Sequence, residues 1–326
     1  MNKSESTKTT GISLRWLQRP WVNPVLTILA LVIVAVLLQG RQIGVPDVPL
    51  AEWVDSMTEW FVVTFGAVFR TIRLAVLQIL NPIESFFLWL PWPIWIAATG
   101  LAAYRLISWK AALAMVAALT LIVSMELWND TMVTLGVVAT SMLLTVALGV
   151  PIGILVSKSD RLENVVRPIL DAMQTIPAFV YLIPVVMLLG TGKVPAVLAT
   201  MIYAVPPSIR LTNLGLRQVS TDIKEAARSF GASPWQMLTK VELPLALKTI
   251  LAGVNQSTMM AVAMVVIAAL IGAAGLGNVV LFALQRVRIG MGFEAGLAIL
   301  ILAIILDRLT QALGKGVGAP EEERRE

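Results

Sequence analysis

Two short stretches hold most of the polar chemistry in this chain. One is EAARSFGASPWQMLTKVELP, residues 225–244, a charged and helix-forming segment between two long apolar runs. The other is Asn255-Gln256-Ser257-Thr258, the densest polar patch inside the apolar run that follows. What they can do is bounded by what is missing. The chain has no histidine and no cysteine, which removes thiol nucleophiles, histidine general bases, disulfide frameworks and His/Cys zinc sites together. It also lacks a Walker A loop: GTGKV has no preceding glycine at the required spacing and no Ser/Thr after Lys193, and GKGVG fails in the same way. No catalytic residue, metal site or cofactor is therefore expected on this chain. Recognition remains. A capped, charged hairpin suits contact with a partner, and polar groups within an apolar run either pair with another helix or face a cavity.

The elements that must carry these stretches are membrane helices. The 326 residues are 57% hydrophobic and 14% charged, and the repeated apolar runs match a hydrocarbon layer about 30 Å thick. Backbone polar groups in lipid need internal partners and the runs exceed the length of a barrel strand, so the predicted fold is an all-α polytopic membrane protein. About eight spans are expected, at 21–38, 92–107, 111–127, 132–156, 175–189, 194–209, 249–271 and 293–309. Lys and Arg cluster in the N-terminus, YRLISWK, SKSDRLENVVR, the hairpin and the C-terminal tail, which alternate spans put on one side; both termini are then cytoplasmic. The same rule accounts for the net charge of +5 without nucleic acid. Residues 61–80 are long enough to span, but Arg70 and Arg73 fall at their middle. The expectation is an amphipathic, tryptophan-rich segment on the outer face, with Trp53, Trp60, Trp89, Trp92 and Trp95 as an interfacial belt rather than an aromatic cage. The organisation expected is a cytoplasmic tail (1–20), a first span with the outer-face segment (21–91), accessory spans (92–131), a core (132–311) carrying a cytoplasmic hairpin (214–248), and a tail (312–326).

Within the hairpin, Asp222 is expected to cap a helix with Glu225 as the reciprocal partner, and Gly231 to end it. Ser233, Pro234 and Gln236 then read as a second capping box with proline at the first helical position. Two short helices would meet at a glycine elbow before Pro244 leads into the next span. A solvated connector has no use for Ala226 and Ala227 beside Phe230, Trp235 and Met237, which together suggest a small-and-aromatic docking surface.

The order Glu225-Ala226-Ala227, Gly231, Val241, Leu243-Pro244 resembles the signature of the membrane subunits of ABC importers, with Val241 where isoleucine is commoner. DAMQTIPAFVYLIPVVMLLGTGKVPAVLATMIYAVPPSIRLTNLGL, GVNQSTMMAVAMVVIAALIGAAGLG and FEAGLAILILAIILDRLTQ are similar to permeases of glycine betaine and proline betaine importers, over 132–311. The resemblance implies a MetI-like permease core in a bacterial cytoplasmic membrane, importing a compatible solute of the glycine betaine, proline betaine, carnitine or choline class. It implies an ATPase-coupling hairpin of Asp222, Glu225, Ala226, Ala227, Gly231, Leu243 and Pro244. The partners it implies are two ATP-binding subunits holding the ATP and Mg, a second copy of the permease, an extracytoplasmic substrate-binding protein, and membrane lipid.

The central runs 132–156, 175–189, 194–209 and 249–271 contain no Asp, Glu, Lys or Arg, which argues against proton coupling. A charge-free route suits a methyl-wrapped cation bound by aromatic faces. Asn255, Gln256, Thr258, Met259, Phe179 and Tyr203 are the candidate path-lining residues, against the plainer reading that each fills the core or faces lipid. Pro177, Pro184, Pro195, Pro206 and Pro207 mark either tolerated kinks or a broken helix, and Gly149 and Gly153 mark close helix packing. Asp307 and Arg308 read as snorkelling at a span end. The rival functions are a secondary transporter or channel without a motor, with backbone-coordinated sodium as its surviving ion-coupled form, and a non-transporting membrane scaffold.

Overall fold

In the computed structural model the chain is described over residues 22–38 and 49–316; the expected tails, 1–20 and the stretch beyond 316, lie outside the described residues. All regular structure among the described residues is helical. The chain divides into two units, Met1–Val54 and Asp55–Glu326. The first contains α1 (Val22–Leu38), apolar along its length, with Ile28, Leu31 and Val36 exposed. It also contains the first turn of α2 (Leu50–Trp89).

In the second unit follow α3 (Trp92–Leu106), α4 (Trp109–Ser124), α5 (Trp128–Ser157) and α6 (Asp160–Thr175). A 3-10 turn (Ala178–Tyr181) leads into α7 (Leu182–Leu189), followed by α8 (Lys193–Arg217) and α9 (Thr221–Ser229). Next come α10 (Pro234–Gln236), a π-helical segment (Met237–Glu242), α11 (Leu243–Ala268), α12 (Leu276–Gln285) and α13 (Ile289–Gly316).

The centre is α5, α8 and α11, and small residues set their spacing. On α5, a side chain at Gly149 or Gly153 would lie 2.8 Å from the Ser208 Cβ or 2.6 Å from the Thr212 Cβ of α8. The expected glycine pair therefore marks close packing, which in lipid must come from van der Waals fit and interhelical hydrogen bonds. Those bonds are present. Ser141 donates to the Val197 carbonyl at 3.2 Å, and the Ser208 and Ser257 hydroxyls lie 2.8 Å apart, buried between α8 and α11. Around this centre, Ile96, Ala103, Met115, Leu119 and Ile122 of the α3–α4 hairpin form one apolar cluster with Ala295, Ala298, Ile301 and Ile305 of α13.

Among the described residues five helices are long and apolar enough to cross a membrane: α2, α5, α8, the continuous Pro234–Ile271 and α13. The bent pair of α6 with Ala178–Leu189, counted as one broken span, would make six. The other expected spans fall on shorter helices, α1, α3 and α4, of 17, 15 and 16 residues. At 1.5 Å per residue these are about 23–26 Å long, a little under the hydrocarbon thickness.

Two expectations are corrected. Residues 175–189 do not form one straight span. Pro177 forces the residue before it out of the helical region, so Ile176 takes ψ 129 and the helices on either side meet at 108°. Residues 61–80 are not a separate element but the middle of a 40-residue helix, which qualifies as a membrane span by length and composition. Its contacts lie at the end of the bundle opposite the hairpin. Val76 and Leu80 pack against Val137, Val194 and Val197, and Glu84 pairs with Lys193, the first residue of α8. Arg70 and Arg73 sit beside Leu188, Leu189 and Gly190 at the end of α7.

Candidate functional site: a rigid hairpin at one end of the bundle

The hairpin starts where α8 ends. Ser220, not Asp222, is the N-cap of α9: its hydroxyl accepts from the Asp222 amide at 3.3 Å. Asp222 therefore lies in the first turn, where a carboxylate is favoured by the positive helix end, and the expected Asp222–Glu225 box is not formed. Sequence spacing allowed either frame; the serine wins because its short hydroxyl reaches the free amide of the first turn. Glu225 falls in the second turn, exposed, and its carboxylate has no partner among the described residues.

Gly231 ends α9 as expected. Its φ of +78 places it in the left-handed region, with the Ala232 amide donating to the Ala227 carbonyl at 3.1 Å and the Gly231 amide to Arg228 at 2.9 Å. These two bonds satisfy carbonyls that a helix end otherwise leaves open. The second box is present in both halves: the Gln236 amide donates to Ser233 Oγ at 3.3 Å, and the Ser233 amide to Gln236 Oε1 at 2.8 Å.

The second arm differs from expectation. It is not a separate short helix but the start of the continuous helix Pro234–Ile271, joined through the π-helical segment. Pro244 lacks an amide hydrogen and its ring crowds the carbonyl one turn back, and a locally widened helix accommodates both without a break. The surface also differs in one member. Phe230 and Trp235 are 93% and 71% exposed, but Met237 is buried and belongs to the packing beneath. Ala226 is exposed and Ala227 half-buried; Leu243 packs inward and Pro244 is exposed.

Sequence reasoning counted Glu242 only as a loop charge. In the structure its side chain is 8% exposed and forms ion pairs with Lys158, just past the end of α5, and with Lys224 of α9 at 3.7 Å. Lys224 also donates to the Leu216 carbonyl of α8 at 3.1 Å. A signal was available: Glu242 sits four residues from Leu238 and from Ala246, on the inward helix face. Nearby, Arg217 pairs with Asp160 at 2.6 Å and Glu163 at 3.1 Å, and Arg210 with Asp171. Arg210 and Arg217 thus join α8 to α6.

The six candidate path residues do not share one environment. Asn255 is committed to α13, donating to Asp307 Oδ1 at 3.0 Å and accepting from Thr310 Oγ1. Asp307 is accordingly an interhelix partner rather than a snorkelling end. Thr258 is buried and donates to its own Val254 carbonyl at 2.8 Å. Gln256 is exposed and Met259 half-buried on α11. Tyr203 stands 6.1 Å from the Tyr181 ring, at the bend of the broken helix, and Phe179 on the same 3-10 turn is exposed.

An all-α bundle with several apolar spans, a broken helix and a capped hairpin at one end is the architecture of a polytopic membrane protein. Residues 146–318 match the family described as binding-protein-dependent transport system inner membrane component. The chain is 48% identical over 268 residues to the glycine betaine/proline betaine transport system permease protein of Escherichia coli (strain K12), covering 82% of this chain and 76% of that protein. It is 46% identical over 286 residues to the glycine betaine/carnitine transport permease protein of Listeria monocytogenes, covering 83% and 98%. A chain of the inward-facing MetNI methionine ABC transporter has the same fold over 59% of this chain and 96% of that one, with a TM-score of 0.53 at 22% identity. The chain belongs to the family of binding-protein-dependent transport system inner membrane components.

Proposed function

We propose that this chain is the membrane-spanning subunit of an ATP-driven importer for a quaternary-amine compatible solute. Two copies would pair with two ATP-binding subunits, which carry the ATP and Mg, and receive solute from an extracytoplasmic binding protein. The hairpin carries this reading. Its two arms are capped at Ser220, Gly231 and Ser233, and it presents Phe230, Trp235, Ala226 and the unpaired Glu225 to a partner while Met237 and Glu242 anchor it. Small and aromatic groups around an available charge suit a groove on a soluble subunit. The hairpin side is then cytoplasmic, and with it both termini. The named substrates of the two relatives above, glycine betaine with proline betaine or carnitine, support the solute class. Central runs without Asp, Glu, Lys or Arg and the Tyr181–Tyr203 pair are compatible with a methyl-wrapped cation.

The test is reconstitution. The chain assembled with its ATP-binding subunits in proteoliposomes should accumulate labelled glycine betaine only when ATP and the binding protein are both supplied, and the purified chain alone should hydrolyse no ATP. Accumulation driven by a sodium or proton gradient without ATP would overturn the proposal. So would capture of a soluble partner with no solute uptake under any condition.

A further inference from the structure

Glu242 is the one charged residue that is buried among the described residues, at 6% exposure. Removing a carboxylate from water is costly even after relaxation, and a buried ion pair is commonly replaced as a whole by hydrophobic residues of similar volume with no loss of stability; taking away one partner is destabilising only where the other charge stays buried and uncompensated. An apolar neighbourhood is ready for one: Leu216, Val219, Ala246 and Ile250 are buried together there, with Leu238 and Leu243 against them. Stability alone therefore does not account for a carboxylate at this position. What an ion pair adds to an apolar cluster is direction, because burial of apolar surface is indifferent to register whereas a charge-assisted contact holds one geometry.

The contacts of Glu242 select the joints of the hairpin. Its carboxylate meets Lys158 beyond the end of α5 and Lys224 in α9, and Lys224 in turn donates to Leu216 near the end of α8. Glu242 itself is the last residue of the π-helical segment. The hairpin joins the bundle at two places, the short link 218–220 and this widened turn. A π turn is an irregular interruption of the helix, and a link of three residues has no helical ladder, so both are points where a load on the hairpin would be absorbed. One carboxylate bridges them and ties both to α5.

We propose that Glu242 is a positioning residue of the coupling machinery: through Lys158 and Lys224 it locks the hairpin to the ends of α5 and α8, so that a push on the hairpin moves those helices instead of bending its joints. The inference rests on the proposed function, since it presumes a partner that pushes. It assigns Glu242 no contact with solute or nucleotide.

The test separates positioning from stability. Glu242→Met keeps volume and apolar fit and removes the charge; Lys158, 48% exposed, is free to turn to water, and Lys224, 20% exposed, keeps its bond to the Leu216 carbonyl. In the reconstituted complex this variant should retain the thermal midpoint of the wild type and co-purify with the ATP-binding subunit. Solute taken up per ATP hydrolysed should nevertheless fall at least about fivefold, the low end of couplings between sites. Glu242→Lys should uncouple at least as strongly. The double variant K158E/E242K, which restores the closer pair with its signs exchanged, should recover part of that loss. Arg161→Gln, an exposed cation nearby that makes none of these pairs, should keep the wild-type ratio. A wild-type ratio in Glu242→Met overturns the inference, as does a proportional fall of uptake and hydrolysis, or a double variant no better than Glu242→Lys alone. A wild-type complex without ATP-driven uptake removes the proposed function itself, and the inference with it.

Discussion

Replacing Gly231 tests whether the hairpin must be rigid, because the structure isolates one physical variable at that position. A Cβ added at Gly231 would meet no heavy atom beyond its chain neighbours within 4 Å. Within this chain the backbone conformation, φ +78, is therefore what discriminates between replacements. An L-residue in the left-handed region costs about 1–2 kcal/mol, most for a β-branched side chain, whereas asparagine visits it readily. At Gly231→Val that cost bears on the two capping bonds from Ala232 to Ala227 and from Gly231 to Arg228. It lowers the ratio of native to non-native elbow by a factor of about 5–30. The arms carrying Phe230 and Trp235 would then lose their fixed relation. Uptake and ligand-stimulated ATP hydrolysis of the reconstituted complex should follow the order Gly, Asn, Ala, Val, with asparagine within about twofold of the wild type and valine the most reduced, by up to that factor. Asparagine and valine differ little in volume. Equal activity of the two, at equal expression and thermal midpoint, would refute the reasoning, since it would show that elbow conformation does not matter to coupling.

Charge reversal at Glu225, exposed and without a partner among the described residues, should change stability by less than about 0.5 kcal/mol, yet abolish co-purification with the ATP-binding subunit; retained co-purification at full uptake would place the docking contact elsewhere. Gly153→Leu would drive its side chain into Thr212 Cβ at 2.6 Å and the Ile209 carbonyl at 2.8 Å, an overpacking cost of about 1–3 kcal/mol or more, and should lower the yield of monodisperse protein. A wild-type melting curve would contradict the close α5–α8 seam. Asn255→Ala should cost about 0.6–1.7 kcal/mol of stability while leaving the KM for glycine betaine unchanged, because its amide is spent on Asp307 and Thr310. A raised KM would return Asn255 to the transport path.

Much of this protein is legible in its sequence because the governing physics is local. Long apolar runs must be helices in lipid whatever surrounds them, and the regions expected at 132–156, 194–209, 249–271 and 293–309 fall within α5, α8, α11 with its 3-10 end, and α13. Gly231 and the Ser233–Gln236 box are legible for the same reason, since caps and left-handed turns are settled by residues within one helical turn. Tertiary structure decides wherever two local solutions compete or where charges find distant partners. Ser220 rather than Asp222 starts α9, and the helix after Ser233 runs on through Pro244 by widening instead of stopping. Residues 61–80 extend into a 40-residue helix laid against the start of α8, which their own composition does not specify. The partners of Glu242 and Asn255 were hidden because Lys158 and Asp307 are 84 and 52 residues away in sequence. Which side chains pair across helices depends on which surfaces meet, and no local pattern carries that information.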